Sequence, residues 1–243
     1  MAVQLAAEGT DLVVVARDQA RLEALAAELS SECEIQCEVI VCDLADRQLL
    51  EIVERRIEAS DAPIDLVVNN AGLGFGGPFA ELDRNTASFV VDVNVVAVQR
   101  LAHAAATAFQ DRGRGTILNV GSLAGEAVGA NSATYNATKA FVTSLGQSLA
   151  VELVGTGVTI TTLLPGFTRT EFQDRSGTDV SEIPRLLWQS AEHVAAAGLD
   201  GAFAGSIEVV PSKRYRVIRA VNRVLPAAVQ RRAAGNVAKR SQK

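Results

Sequence analysis

The sequence predicts a single α/β domain built on a parallel sheet. Three observations carry this. Residues 12–16 form a continuous apolar run, the mark of a strand covered on both faces. Further strand patterns at 34–41, 64–68, 116–120, 158–164 and 206–210 alternate with stretches of helical apolar spacing, which is the order of repeated strand–helix units. A length of 243 residues, 48% hydrophobic and 5% aromatic, suits one globular core made of Ala, Val and Leu.

In chain order, residues 1–8 read as a helix stopped by Gly9, with no capping side chain ahead of it. The strand at 12–16 leads through Arg17 into an amphipathic helix at 18–29. The next strand ends at Cys42-Asp43-Leu44, where Asp43 has the residue type of an N-cap for the helix over 46–59. After the strand at 64–68 comes Asn69-Asn70-Ala71-Gly72, then Gly74, Gly76 and Gly77, which alone would mark a permissive connection. Residues 83–110 form one long helical pattern with Asn94 between Val93 and Val95, where a buried amide needs partners. Small residues at 102–108 and at Ala133, Ala137 and Ala140 permit close helix approach. Residues 173–200 carry two short helical patterns with Pro184 and Trp188 in the first.

Charge is divided along the chain. Positions 1–210 hold thirteen basic and twenty-eight acidic residues, whereas 211–243 hold ten basic and none acidic. Within that tail, 213–232 reads as a basic amphipathic helix interrupted by Pro226, suited to an anionic membrane surface, to an acidic partner, or to packing on the acidic body or the next subunit. Nucleic acid is a poor fit for so acidic a body without a recognition motif. No run of eighteen uncharged apolar residues and no basic-then-apolar leader order occurs, so a cytoplasmic protein is expected. Cys33, Cys37 and Cys42 read as reduced structural thiols, and His103 and His193 as packing or surface residues.

The chemistry concentrates between 122 and 139. Ser122 follows a strand closed by Gly121. Tyr135 and Lys139 stand four apart near the start of a helix over 135–152, so they share a face. A phenol titrates near ~10 in water and is a poor proton donor at neutral pH; a nearby ammonium is expected to lower that value. Ser122 can donate to a carbonyl oxygen that gains negative charge. Before position 211 twelve of the thirteen basic residues are Arg, and Lys139 is the exception, which fits a site needing a compact ammonium.

Ser122, then Tyr135 in Tyr-Asn-Ala-Thr-Lys, preceded by Asn69-Asn70-Ala71-Gly72 and followed by Pro165-Gly166, resembles the short-chain dehydrogenase/reductase family over nearly the whole of residues 1–210. The resemblance implies a doubly wound, Rossmann-like sheet and NADP-dependent interconversion of a carbonyl compound and an alcohol, and the apolar composition of residues 173–200 suggests a lipophilic one. It implies catalytic roles for Asn94, Ser122, Tyr135 and Lys139, with Asn94 holding a water in a relay to the lysine. It places Arg17, Asp43, Asn69, Gly72, Tyr135, Lys139, Pro165, Gly166, Thr168 and Thr170 on the cofactor. Arg17 would take the 2′-phosphate of NADP and Asp43 the adenine amino group; the competing readings are a flanking Arg paired with Asp18 or Glu23, and an N-cap. Phe167 and Phe172 would wall the substrate site, with a lid over 167–200, and paired helices would make a homodimer or homotetramer. One departure stands out: the family's first strand and glycine-rich pyrophosphate turn have no counterpart. Roughly 15 to 25 upstream residues are therefore expected to be missing, leaving two inner strand edges open. The alternative is a cofactor-free oligomeric scaffold.

Overall fold

A computed structural model describes the chain apart from residues 178–179, 181–182, 227 and 233–243, so four lid positions and the end of the basic tail lie outside the described residues. The chain begins with α1 (Ala2–Ala7), β1 (Leu12–Ala16), α2 (Gln19–Cys33), β2 (Cys37–Val41), α3 (Arg47–Glu58) and β3 (Leu66–Asn69). Next, α4 (Arg84–Val91), a π-helical turn at Asp92–Ala97 and α5 (Val98–Arg112) run on as one helix. Then come β4 (Gly115–Val120), a 3-10 turn at Leu123–Glu126, α6 (Ala133–Glu152) and β5 (Val158–Leu163). The last part holds β6 (Thr168–Arg169), α7 (Phe172–Ser176), a 3-10 turn at Arg185–Leu187, β7 (Gln189–Ser190), α8 (Ala191–Phe203), β8 (Glu208–Val209) and α9 (Lys213–Val224).

Side-chain caps fix where the helices start. Asp18 accepts from the Arg21 N–H at α2, and Asp83 from the Thr86 N–H at α4. At α3 the cap is Asp46, which accepts from the N–H groups of Gln48 and Leu49. Asp43 is thus not the helix cap; it bends the preceding turn by accepting from the Ala45 N–H. Gly113, at φ +68°, takes the left-handed conformation that ends α5.

The main strands pair in parallel, β1 with β2 in one sheet and β3-β4-β5-β8 in order in another. Alternating residues serve opposite faces. Ile117 and Ile160 join Leu50, Val53 and Ile57 of α3 and Leu101 and Phe109 of α5 on one side. Leu118 and Leu163 join Leu5 of α1 and Val194 and Leu199 of α8 on the other. Helices therefore cover both faces, and the architecture is the doubly wound one. Ala102, Ala104 and Ala105 are spent in this core, so the alanine run of α5 serves packing within the chain.

Among the described residues β1 pairs only with β2, and β3 only with β4. The free edges of β1 and β3 border a cavity of about 2010 Å³ lined by every residue of both strands and by Met1, Ala2 and Leu5. The same cavity continues past the strand ends to Ser122, Tyr135 and Lys139.

Candidate active site

Ser122 leaves β4 in extended conformation, and its hydroxyl accepts from the Ala124 N–H at 3.1 Å, which caps the following 3-10 turn. The segment is anchored on β5: Gly121 donates to the Leu163 carbonyl at 2.8 Å, and Leu123 to that of Pro165 at 3.1 Å. Across the cavity α6 presents Tyr135 in its first turn and Lys139 one turn later. The hydroxyl of Ser122 bears on the Tyr135 phenol as a hydrogen-bonding group that lowers its pKa. The three predicted groups do converge.

Lys139 is buried, and its Nζ donates to the Val120 carbonyl at 2.8 Å and lies 5.9 Å from the centre of the Tyr135 ring. Burial alone lowers its pKa from 10.5 to about 8. Burial also raises the Tyr135 pKa above its ordinary value, and the Ser122 hydrogen bond opposes this without cancelling it. The expected lowering of the phenol by Lys139 is not what the geometry gives. The ammonium is bonded to a backbone carbonyl behind the ring rather than to the phenol oxygen, and desolvation outweighs what remains.

Two glycines of the loop after β3 lie close against the site's side chains. A Cβ on Gly72 would stand 3.2 Å from Lys139 Nζ, and one on Gly74 would stand 2.7 Å from the Phe172 ring and 3.2 Å from that of Tyr135. Phe172 packs on Tyr135 with ring centres 5.4 Å apart, so it walls the site, while Phe167 packs on Trp188 at 5.8 Å. Asn69 donates to Asn119 at 2.8 Å and ties β3 to β4, a partner the sequence did not indicate.

Asn94 sits in the π-helical turn and is fully buried. Its Oδ1 accepts from the Leu73 N–H, and its Nδ2 donates to the Leu73 carbonyl and to Thr138 Oγ1. The side chain is committed to holding the glycine loop against α6. That is the structural role weighed for it; both amide donors are used, and Oδ1 keeps one lone pair on the side of Gly72 that also faces Lys139 Nζ.

Arg17 stands at the end of β1, half-exposed, 3.7 Å from Asp43 and over the Phe89 ring; its partner is neither Asp18 nor Glu23. Both residues line the cavity, with Asn69, Gly72, Pro165, Gly166, Thr168 and Thr170. The Thr168 hydroxyl donates to the Gly166 carbonyl, and the Thr170 hydroxyl accepts from the Phe172 N–H. These bonds shape the turn entering the lid.

The site also draws on the tail. Tyr215 of α9 lies on Gly166, where a Cβ would come within 2.1 Å of its ring. Its hydroxyl accepts from the Phe167 N–H at 3.0 Å and donates to the Leu187 carbonyl at 2.9 Å. Arg219 binds Glu126, in the turn after Ser122, and Glu208 of β8. Gly125 seats that turn on α6: a Cβ there would meet the Lys139 carbonyl carbon at 2.5 Å and the Ala140 nitrogen at 2.6 Å. Backbone cannot yield as a side chain does. Gly125→Ala is expected to cost ~1–3 kcal/mol and several degrees of melting temperature, and to displace Ser122. Thermal unfolding checks this; an unchanged midpoint would show that the turn has room.

The family model described as short chain dehydrogenase matches residues 1–181. A sulfoacetaldehyde reductase of Chromohalobacter salexigens is 35% identical over 171 residues, 70% of this chain and 67% of that protein. Among solved structures, a short-chain dehydrogenase from Sphingobium yanoikuyae in complex with NADPH superposes with a TM-score of 0.83 at 34% identity, over 93% of this chain and 91% of that one. A bulky-bulky ketone specific alcohol dehydrogenase from Comamonas testosteroni gives 0.78 at 31%, over 93% and 89%. With Ser122, Tyr135 and Lys139 gathered at the strand ends of a doubly wound sheet, the chain belongs to the short-chain dehydrogenase/reductase family and is an oxidoreductase.

Proposed function

We propose that the protein reduces a carbonyl compound with NADPH, and oxidises the matching alcohol in reverse, using Tyr135 as the proton-transferring group. The observation that carries this is the convergence of the Ser122 and Tyr135 hydroxyls beside buried Lys139 in one cavity. A carbonyl oxygen placed between the two hydroxyls receives two donors. Ser122 orients it, and Tyr135, held neutral by burial, gives up its proton as charge develops. Lys139 sets a positive charge behind the phenol as its proton leaves. Asn94 acts by positioning, through Leu73 and Thr138.

The residues present fit a dinucleotide at its two ends. The Arg17 guanidinium is free to turn toward a 2′-phosphate, with Asp43 beside it at the adenine end. At the other end the missing Cβ of Gly72 leaves Lys139 reachable for a ribose, and Pro165, Gly166, Thr168 and Thr170 line the place of the nicotinamide. A bound nicotinamide supplies the hydride. Among the described residues no glycine turn reaches the pyrophosphate between these ends. On this reading the slot between β1 and β3 takes a further parallel strand, which pairs both open edges and brings such a turn with it.

The substrate is a ketone or aldehyde with an apolar body, matched to the walls formed by Phe172, Phe167 and Ile218. We place the protein in the cytoplasm as a homo-oligomer. Its contact lies on the α4/α6 flank, where exposed Phe79 and Val91 border a shallow apolar groove with Ala133 and Ala137.

NADPH oxidation against a panel of ketones tests the reading, run on this chain and on one with a strand and glycine turn joined ahead of Met1. Turnover is expected in the filled form, with NADPH preferred over NADH. Arg17→Glu should lower that preference roughly hundredfold, because a charge-assisted pair is replaced by repulsion. Absence of turnover in both forms, or an unaltered preference, would sink the respective assignment.

A further inference from the structure

Helix α9 is mounted with Arg219 inward and its valines outward. The inner face holds Tyr215 and Arg219, the first buried under Gly166 and the Leu187 carbonyl, the second on Glu126 and Glu208. On the opposite face Val217, Val221 and Val224 project at helical spacing and are 64%, 49% and 81% exposed. The burial of apolar surface that normally places a helix is here replaced by two carboxylates and a tyrosine hydroxyl, and the valine stripe is left facing out. Cations flank it. At 100° per residue Lys213 and Arg214 fall on either side of the stripe, and Arg216 lies beside Lys213. Arg214 also donates to the carbonyl of Leu186, itself 62% exposed, so the apolar patch extends onto the lid.

We propose that this face of α9 docks on an anionic lipid surface, the valines and Leu186 entering the headgroup boundary and Lys213, Arg214 and Arg216 meeting lipid phosphates. Charge selects this occupant over a second copy. A symmetric contact through the stripe would set each cluster of cations against its own image, since the tail from 211 to 243 carries ten basic residues and no acid. An anionic bilayer answers both features at once, whereas the rest of the chain, thirteen basic against twenty-eight acidic residues before position 211, is repelled by it and keeps the helix as the point of contact. Docking also sets the cavity mouth at the bilayer, because Ile218 and Asn222 of the same helix line the space that holds Tyr135. That last consequence rests on the reductase reading; the docking does not.

Sedimentation with vesicles of mixed phosphatidylglycerol and phosphatidylcholine tests it, since it reads binding without turnover. The protein is expected to pellet with these vesicles at low salt, to stay in solution with phosphatidylcholine alone, and to be released at high salt. Lys213→Ala with Arg216→Ala should weaken partitioning roughly thirtyfold. Val217→Asp with Val221→Asp should abolish it with an unchanged melting temperature, both positions being exposed. Three outcomes overturn the proposal: no pelleting with the anionic vesicles at low salt, equal binding to neutral vesicles, or self-association that the valine substitutions remove while no vesicle binding is seen.

Discussion

Tyr135→Phe is expected to turn over a carbonyl substrate about a thousandfold more slowly than the parent (~10²–10⁴), with NADPH affinity unchanged. The size follows from what is removed. The ring stays in place, packed on Phe172 and roofed by Gly74, so substrate and cofactor meet the same walls. Only the hydroxyl goes, and with it the proton donor and one of the two hydrogen bonds to the developing oxyanion. Ser122→Ala removes the other bond and leaves the donor, so its loss is expected to be smaller. Steady-state rates beside NADPH binding decide the matter: a Tyr135→Phe rate within about tenfold of the parent would leave Tyr135 a packing residue.

The groups proposed to react were legible because that chemistry needs particular residue types at fixed spacing. Ser122, Tyr135 and Lys139 could be placed on a strand end and one helix face before any coordinates, and they converge as expected. The strands were legible for a related reason. Residues 12–16 are apolar throughout, as suits a parallel strand with helices on both faces, and they form β1. Boundaries were less so: the helix expected over 18–29 runs to Cys33, and the strand expected from 34 starts at Cys37.

What sequence hid were contacts between distant segments. Asn119 looked like one more strand residue until it met Asn69 fifty positions away. Gly125 carries no local signature, since its need is the nearness of the α6 backbone. The π-helical turn escaped notice because one widened turn scarcely disturbs the apolar spacing of a long helix, yet it sits where Asn94 turns toward Leu73. The start of the tail was read as an amphipathic helix, and among the described residues Lys213–Val224 form one. Its hidden feature was polarity of mounting: Glu126 and Glu208, far apart in sequence, together claim Arg219 and so decide which face turns inward.

Lys139→Met is expected to lose activity while keeping or raising stability. At neutral pH the folded chain holds an ammonium whose pKa has been pushed to about 8 by burial, against 10.5 outside the fold. The unfolded chain therefore binds that proton more tightly, and the difference opposes folding by about 3 kcal/mol, fully present below pH 8. It fades as pH rises from 8 toward 10.5, because the native amine is then already neutral. Methionine removes the penalty and fills similar volume, but it leaves the Val120 carbonyl without its donor, at ~1–3 kcal/mol. The net is a melting temperature between unchanged and roughly 5 °C higher. Turnover should fall at least a hundredfold, since no charge then supports the phenolate. The same pKa predicts the parent's pH profile for reduction. Tyr135 stays protonated well beyond neutrality, so the rate should hold up to about pH 8 and decline above it as Lys139 deprotonates. A rate flat to pH 10, or a Lys139→Met variant that melts several degrees lower, would mean that the ammonium serves the fold rather than the reaction.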